Sequence, residues 1–151
     1  MIAIIDYGAG NIFSVKNALD YLGVENKLTA DKNEICAADE IILPGVGAFP
    51  WAMKMLRDSG LVDTIREEAR KKPFLGICLG MQLIFDKGYE FEETDGLRLI
   101  GGKVEKIDRK DMIIPHMGWN ELEINRDCPI LKSLPEHPYV YFVHSYAAVC
   151  V

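Results

Sequence analysis

Between residues 2 and 86 short apolar runs alternate with longer segments of helical spacing, and this alternation limits the chain to few architectures. The runs are Ile2-Ala3-Ile4-Ile5-Asp6, residues 24–29, Ile41-Ile42-Leu43 ending at Pro44, and Phe74-Leu75-Gly76-Ile77. Between them Ile12, Val15, Leu19 and Leu22 mark one helix face, and Asp31 with Glu34 forms a capping-box pattern. Met53 and Leu56, then Leu61, Ile65 and Ala69, mark two more helices, with Ser59-Gly60 as a break and Pro73 as a stop. Strands separated by helices are joined by crossovers rather than hairpins. The pattern therefore predicts a mainly parallel sheet covered on both faces.

After residue 88 the texture changes. Leu97 to Ile107, Met112 to Ile124, Val140 to Val143 and Ala147 to Val151 read as strands, with glycine-rich turns and no long helix. These pieces are expected to extend the sheet in antiparallel fashion or to pack as loops around its active side. No repeat, low-complexity tract or interdomain linker is evident, so residues 1–151 are expected to form one domain. A chain of 151 residues is long enough for a real hydrophobic core.

The formal charge of −6 gives no support to nucleic-acid binding through a basic surface. No apolar run reaches the roughly 18 residues of a membrane span, and residues 1–6 lack the basic start of a secretory signal. No membrane association and a cytoplasmic location are expected. Cys36, Cys78, Cys128 and Cys150 form no CxxC pair, and His116, His137 and His144 are scattered. Neither a disulfide scaffold nor a zinc site is indicated, and chemistry without metal or cofactor is expected.

Two glycine-bearing segments stand where strands should end. In Gly76-Ile77-Cys78-Leu79-Gly80-Met81-Gln82 a cysteine sits at a strand-to-helix junction between small residues. Such an elbow exposes a nucleophile, and a helix N-terminus beyond it favours thiolate over thiol. Cys78 is read as the attacking atom of an acyl-transfer enzyme, the alternative being a structural cysteine after a core strand. Pro44-Gly45-Val46-Gly47-Ala48-Phe49 puts two glycines at the same sheet end and can present an N–H to an oxyanion or rotate a peptide between two states. Otherwise it only joins strand to helix. Gly8-Ala9-Gly10-Asn11 lacks the third glycine of a dinucleotide fingerprint and is read as a tight turn.

Together, Pro44–Phe49 and Gly76–Phe85 resemble the oxyanion segment and nucleophile elbow of the class I, triad-type glutamine amidotransferases. Ile4–Asn11, Pro115–Asn120 and Tyr141–Tyr146 make the chain most similar to the glutaminase subunits that serve a cyclase in histidine biosynthesis. The resemblance implies a three-layer, flavodoxin-like α/β fold. It implies attack of Cys78 on the side-chain amide of glutamine, with the oxyanion held by Leu79 and by Val46 or Gly47 of the Gly45–Gly47 segment. Gly45, Gln82, Ser145 and Tyr146 would then bind the substrate. Asn11, Lys16, Trp119 and Asn120, with Met117 and Gly118 nearby, would face the partner, a cyclase subunit built as a (β/α)₈ barrel that receives ammonia through its interior.

One part of the family pattern has no counterpart. Its histidine and glutamate occur in a Gln-Phe-His-Pro-Glu segment that no residue of this chain matches, so the base is expected beyond Val151 and the domain is expected to be incomplete at its C-terminal end. By the resemblance His144 belongs to the substrate side and is not the base. A chain ending at 151 is expected to leave apolar sheet surface or a sheet edge uncovered. A glutaminase serving another acceptor, as in anthranilate or aminodeoxychorismate synthesis, and a nonenzymatic binding subunit are the competing readings. Met117-Gly118-Trp119-Asn120 argues against the first, and the unmatched triad partners are the only support for the second.

Overall fold

A computed structural model describes residues 1–111, 113–125 and 127–150. The chain divides into two units, Met1–Glu105 with the stretch from Ala148, and Lys106–Ala147.

The first unit opens with β1 (Ile2–Ile5), α1 (Ile12–Tyr21), β2 (Asn26–Thr29), α2 (Lys32–Ala37), β3 (Glu40–Gly45), α3 (Phe49–Asp58), α4 (Val62–Glu68) and β4 (Phe74–Cys78). The four strands form one sheet in the order β2-β1-β3-β4, and every pairing is parallel. The alternating pattern is thus realised as expected. Strand β3 runs farther than the apolar run suggested, through Pro44 to Gly45. Right-handed crossovers place α1 on one face of this sheet and α2, α3 and α4 on the other.

The two faces are covered unequally. Ile35, Phe49, Ala52, Met53, Leu56 and Ile65 are buried on the helices of the second face, whereas α1 has no fully buried residue. Paired residues of a parallel sheet share a face, so Ile4, Ile42 and Leu75 lie together. Burial falls along that row: Ile4 is inaccessible, Ile42 is 7% exposed and Leu75 is 45% exposed. Ile77 on the same strand is 36% exposed. The expectation of coverage on both faces therefore holds fully for one face only.

Asp31 caps α2 by accepting bonds from the N–H groups of Asn33 and Glu34 at 2.7 and 3.2 Å. The reciprocal half of the capping box is absent. Glu34 instead accepts from the Thr29 hydroxyl and pairs with Lys27, each at 2.6 Å, and Asp31 N–H donates to Thr29 Oγ1 at 3.0 Å. Thr29 ends β2, so the substitution ties helix to strand.

At the other end of α2 the Lys72 ammonium lies among the carbonyl oxygens of Ile35, Cys36 and Ala38, 2.7–3.2 Å away. Lys72 also pairs with Glu68 at 2.7 Å, and Lys71 pairs with the same carboxylate at 2.8 Å. Hydrogen bonds from Lys71 and then Lys72 hold the Glu68 carboxyl at about 2, down from 4.5. A depressed carboxyl stabilises the fold above its unfolded value and loses that contribution as pH falls through its folded one. Thermal melts should therefore weaken progressively from about pH 4.5 to about 2. A Glu68→Gln variant should show a flatter pH dependence over that interval.

Beyond β4 the chain departs from the expected pattern. Helix α5 (Leu79–Gln82) is a single turn, and residues expected to continue it form β5 (Phe85–Gly88). The cause lies in the backbone: the carbonyls of Leu83, Ile84 and Phe85 accept from the N–H groups of Leu97, Leu99 and Arg98 and are not available to a helix. Strand β5 pairs antiparallel with β6 (Thr94–Asp95) and parallel with β7 (Ile100–Lys106). With β10 (Tyr146–Cys150) they make a separate sheet, β10-β7-β5-β6, instead of extending the first.

The second unit contains a ladder of β8 (His116–Glu121) and β9 (Tyr139–His144), paired antiparallel from His116↔His144 to Glu121↔Tyr139. The strand expected over Met112–Ile124 is shorter than its apolar composition suggested. Met112 and Val151, the ends of two expected strands, lie outside the described residues.

Candidate active site

Cys78 is the last residue of β4 and has φ 55° and ψ −118°. A non-glycine residue in that region carries roughly 1–3 kcal/mol of backbone strain, which persists only where the surroundings enforce it. Here they do. A Cβ added at Gly80 would stand 1.9 Å from the Leu43 carbonyl oxygen, and one at Gly76 would stand 2.5 Å from Met81 Cα. The glycines let the turn after Cys78 press against β3. Its consequence is an exposed thiol at the end of a strand that is itself only partly covered.

Strand β3 sets the second element beside the first. Its parallel register pairs Pro44 with Ile77 and Gly45 with Cys78. The Gly45–Gly47 segment thus leaves the sheet from the position adjacent to the thiol. Gly45 needs its missing side chain, because a Cβ there would meet Gly80 N at 2.6 Å. Gly47 has φ +100° with open space around it, so its requirement is conformational. Val46 between them is half exposed.

Leu79 follows Cys78 as the first residue of α5, where backbone N–H groups have no intrahelical partner. The helix expected beyond the elbow is the four-residue α5. Gln82 lies at the end of that turn. The structure therefore brings together Cys78, Leu79, Gly45, Val46, Gly47 and Gln82 within the first unit. Asn11 caps α1 by accepting from Ser14 N–H at 3.3 Å, and Lys16 pairs with Asp20 at 2.8 Å. Both have local roles in addition to their expected place at a partner surface.

Two residues near this centre were not singled out by sequence. Tyr7, 5% exposed, donates its hydroxyl to the Pro44 carbonyl at 3.0 Å, and burial pushes its phenol up to about 12. Glu90 accepts from Phe49 N–H at 2.8 Å. The available signal for Tyr7 was an aromatic two residues after a buried strand. Glu90 carries no local signal, since its partner is 41 residues away.

Ser145, Tyr146, Trp119 and Asn120 belong to the second unit. The Ser145 carbonyl accepts from Ile107 N–H at 2.9 Å, and the Tyr146 carbonyl from His144 Nδ1 at 3.0 Å. His144 Nε2 meets His116 Nδ1 at 3.1 Å, and His116 Nε2 meets Asn120 Oδ1 at 2.9 Å. Both nitrogens of His144 are thus engaged. His137 pairs with Glu121 at 2.5 Å. The three histidines all lie in this unit.

The ladder also sorts its side chains by face. Met117, Trp119, Tyr139, Tyr141 and Val143 share one face, and each is more than half exposed. Trp119 and Tyr141 meet edge to face at 5.6 Å. On the opposite face His116 stacks on Phe142 at 5.2 Å. Among the described residues no group of three or more His, Cys, Asp or Glu is placed to hold a metal ion, and no helix is long and apolar enough to cross a membrane.

A strained cysteine elbow in register with a glycine-rich loop, at the carboxyl end of a parallel sheet, is a centre suited to acyl transfer. The family model for class-I glutamine amidotransferases matches residues 3–150, and the chain belongs to that family. A crystal structure of a glutamine amidotransferase, 21% identical, shares the fold with a TM-score of 0.71 over 95% of this chain and 71% of that one. The architecture is the three-layer α/β arrangement of these proteins.

Within the family the chain is similar to HisH subunits of imidazole glycerol phosphate synthase. The chain is 51% identical over 152 residues to the one from Listeria monocytogenes serotype 4a, spanning 99% of this chain and 73% of that protein. It is 51% identical over 151 residues to the one from Bacillus cereus strain G9842, spanning 99% and 72%. The counterpart from Caldanaerobacter subterraneus is 50% identical over 147 residues.

Proposed function

We propose that this chain is the glutaminase subunit of an imidazole glycerol phosphate synthase and that Cys78 is its nucleophile. The observation that carries the reading is the pairing of a positive-φ Cys78 with Gly45 across adjacent parallel strands. The Cys78 sulfur attacks the side-chain carbonyl carbon of glutamine. The carbonyl oxygen becomes an oxyanion, stabilised by the N–H of Leu79 and by that of Val46 or Gly47. Collapse of the tetrahedral adduct breaks the C–N bond, and ammonia leaves with the proton that a base took from the Cys78 thiol during attack. Water, deprotonated by the same base, then cleaves the thioester to glutamate. The first unit contains no histidine, and the proposed base is one outside residues 1–151. Its HisH relatives are longer than the matched region, which accommodates such a residue. Gly45, Gln82, Ser145 and Tyr146 hold the rest of the substrate in this reading, and residues 1–151 form the greater part of one amidotransferase domain.

The partner is a cyclase subunit of (β/α)₈ form, and the setting is the cytoplasm. Ammonia released into water is protonated near neutral pH and loses nucleophilicity, so a docked acceptor has a chemical purpose. The exposed apolar face around Trp119 and Tyr141 supports docking there, with Asn120, Asn11 and Lys16 as further contacts. A central tryptophan anchor is worth roughly 2–4 kcal/mol on truncation. Trp119→Ala should therefore weaken cyclase binding by about 30-fold or more, with little change in melting temperature. Unchanged titration against the cyclase would remove Trp119 from the interface. The catalytic assignment is tested by treating the protein with a diazoketone analogue of glutamine and mapping the adduct by mass spectrometry. Labelling at Cys78 that glutamine suppresses is the expected result, and a glutamine-protected adduct on another residue overturns it.

A further inference from the structure

The Gly45–Gly47 segment is held at both ends by side chains distant in sequence. At its start the buried Tyr7 hydroxyl donates to the Pro44 carbonyl at 3.0 Å. At its end the Glu90 carboxylate accepts from Phe49 N–H at 2.8 Å. Phe49 is the first residue of α3, whose N-cap, Ala48, has no side chain able to cap it. Glu90, two residues beyond β5, therefore supplies the acceptor that the local sequence lacks.

Peptide planarity gives these two bonds a particular consequence. The Pro44 carbonyl and the Gly45 N–H belong to one rigid plane, as do the Ala48 carbonyl and the Phe49 N–H. Fixing Pro44 O fixes the direction of the Gly45 N–H, and fixing Phe49 N fixes the direction of the Ala48 carbonyl. Between the two clamped planes lie three peptides: Gly45–Val46, Val46–Gly47 and Gly47–Ala48. Gly47, at φ +100° with nothing within 4 Å of an added Cβ, leaves this stretch room to turn. Gly45 does not, because its Cβ position is blocked by Gly80, Leu79 and the Tyr7 hydroxyl itself.

We propose that Tyr7 and Glu90 are positioning residues that clamp the two ends of the oxyanion segment and confine its motion to the three peptides between Gly45 and Ala48. The inference rests on the reading of Val46 or Gly47 as an oxyanion donor. The Tyr7 phenol is the more informative clamp, because its hydroxyl bonds the Pro44 carbonyl from within the core. Its hydroxyl remains protonated throughout the working range of a cytoplasmic enzyme, so it is a constant donor.

The test compares Tyr7→Phe, Glu90→Ala and Glu90→Gln with the parent in the holoenzyme, subunit docked to cyclase. Two readouts are needed: steady-state glutamine hydrolysis, and amide hydrogen exchange across residues 44–49. Tyr7→Phe should lower kcat about tenfold, with KM changed less than twofold, the mark of an interaction that matters in the transition state. Exchange at Val46 and Gly47 should rise while that of β1 and β3 up to Leu43 stays at the parent level. Glu90→Ala should raise exchange at Phe49 by tenfold or more. Glu90→Gln, which retains an acceptor oxygen, should restore most of that protection.

Unchanged kcat and unchanged exchange in Tyr7→Phe would overturn the clamp. So would increased exchange spread evenly over β1 and β3, which marks general loosening. A Cys78→Ala control separates the two levels of the argument. If that control still hydrolyses glutamine, the catalytic reading fails first. If it is inactive while Tyr7→Phe equals the parent, only the clamp fails.

Discussion

Replacing Cys78 by alanine should reduce glutamine hydrolysis by at least ~10⁴-fold, because no covalent intermediate can form without the sulfur. The fold should survive. Cys78 is exposed, so losing Sγ removes little packing, and alanine inherits the same positive-φ strain that cysteine bears. A companion variant turns that strain into a measurable quantity. Cys78→Gly should be equally inactive yet more stable than Cys78→Ala by roughly 1 kcal/mol, since glycine accepts φ 55° without penalty. Equal stability of the two variants in urea unfolding would show that the elbow is relaxed. Glutamine hydrolysis retained by either would remove Cys78 as nucleophile.

The second large effect is expected one helical position beyond the nucleophile's neighbour. Gly80→Ala should destabilise the protein by about 4 kcal/mol or more and abolish activity with it. The new methyl would lie 1.9 Å from the Leu43 carbonyl oxygen, 2.8 Å from its carbon and 3.0 Å from the Pro44 carbonyl carbon. All three are main-chain atoms of the central strand β3, so no rotamer change relieves the clash. Either α5 lifts away from the sheet or β3 bends, and both movements spoil the Gly45–Cys78 pairing. Gly47→Ala supplies the contrast. It meets no atom and bears only the φ +100° penalty, on the order of 1–2 kcal/mol. Comparable unfolding free energies for the two alanine variants would contradict the close approach at Gly80.

How far the sequence could be read depended on whether the determining interactions were local. The parallel sheet was legible because Ile2–Ile5, Ile41–Leu43 and Phe74–Ile77 are short apolar runs separated by helical spacing. The elbow was legible because a cysteine flanked by glycines at a strand end has few other geometries. The roles proposed for Leu79, Gln82, Ser145 and Tyr146 come from the family resemblance, and no spacing rule would have suggested them. What escaped was decided across distance. The short α5 follows from amides of residues 97–99 taking the carbonyls of 83–85, and no pattern within 79–85 announces it. The second sheet escaped for the same reason. Thr29 usurping half of a capping box, Tyr7 on Pro44 and Glu90 on Phe49 are likewise contacts between segments whose proximity only folding creates.

The parallel register of β3 and β4 has a consequence for how such a centre can diversify. Gly45 and Cys78 occupy neighbouring hydrogen-bonded strands, so their separation is the lattice spacing of the sheet, about 4.8 Å, and not the outcome of a loop's length. Insertions and deletions in surface loops leave that spacing unchanged. The spacing between the thiol's strand and the glycine-rich segment is thereby shielded from the changes that chains accumulate most easily. Exposed positions elsewhere, such as the aromatic side of the β8–β9 ladder, carry no such constraint from the register of β3 and β4. In such a molecule the placement of the thiol is inherited with the sheet, not with the loops that decorate it.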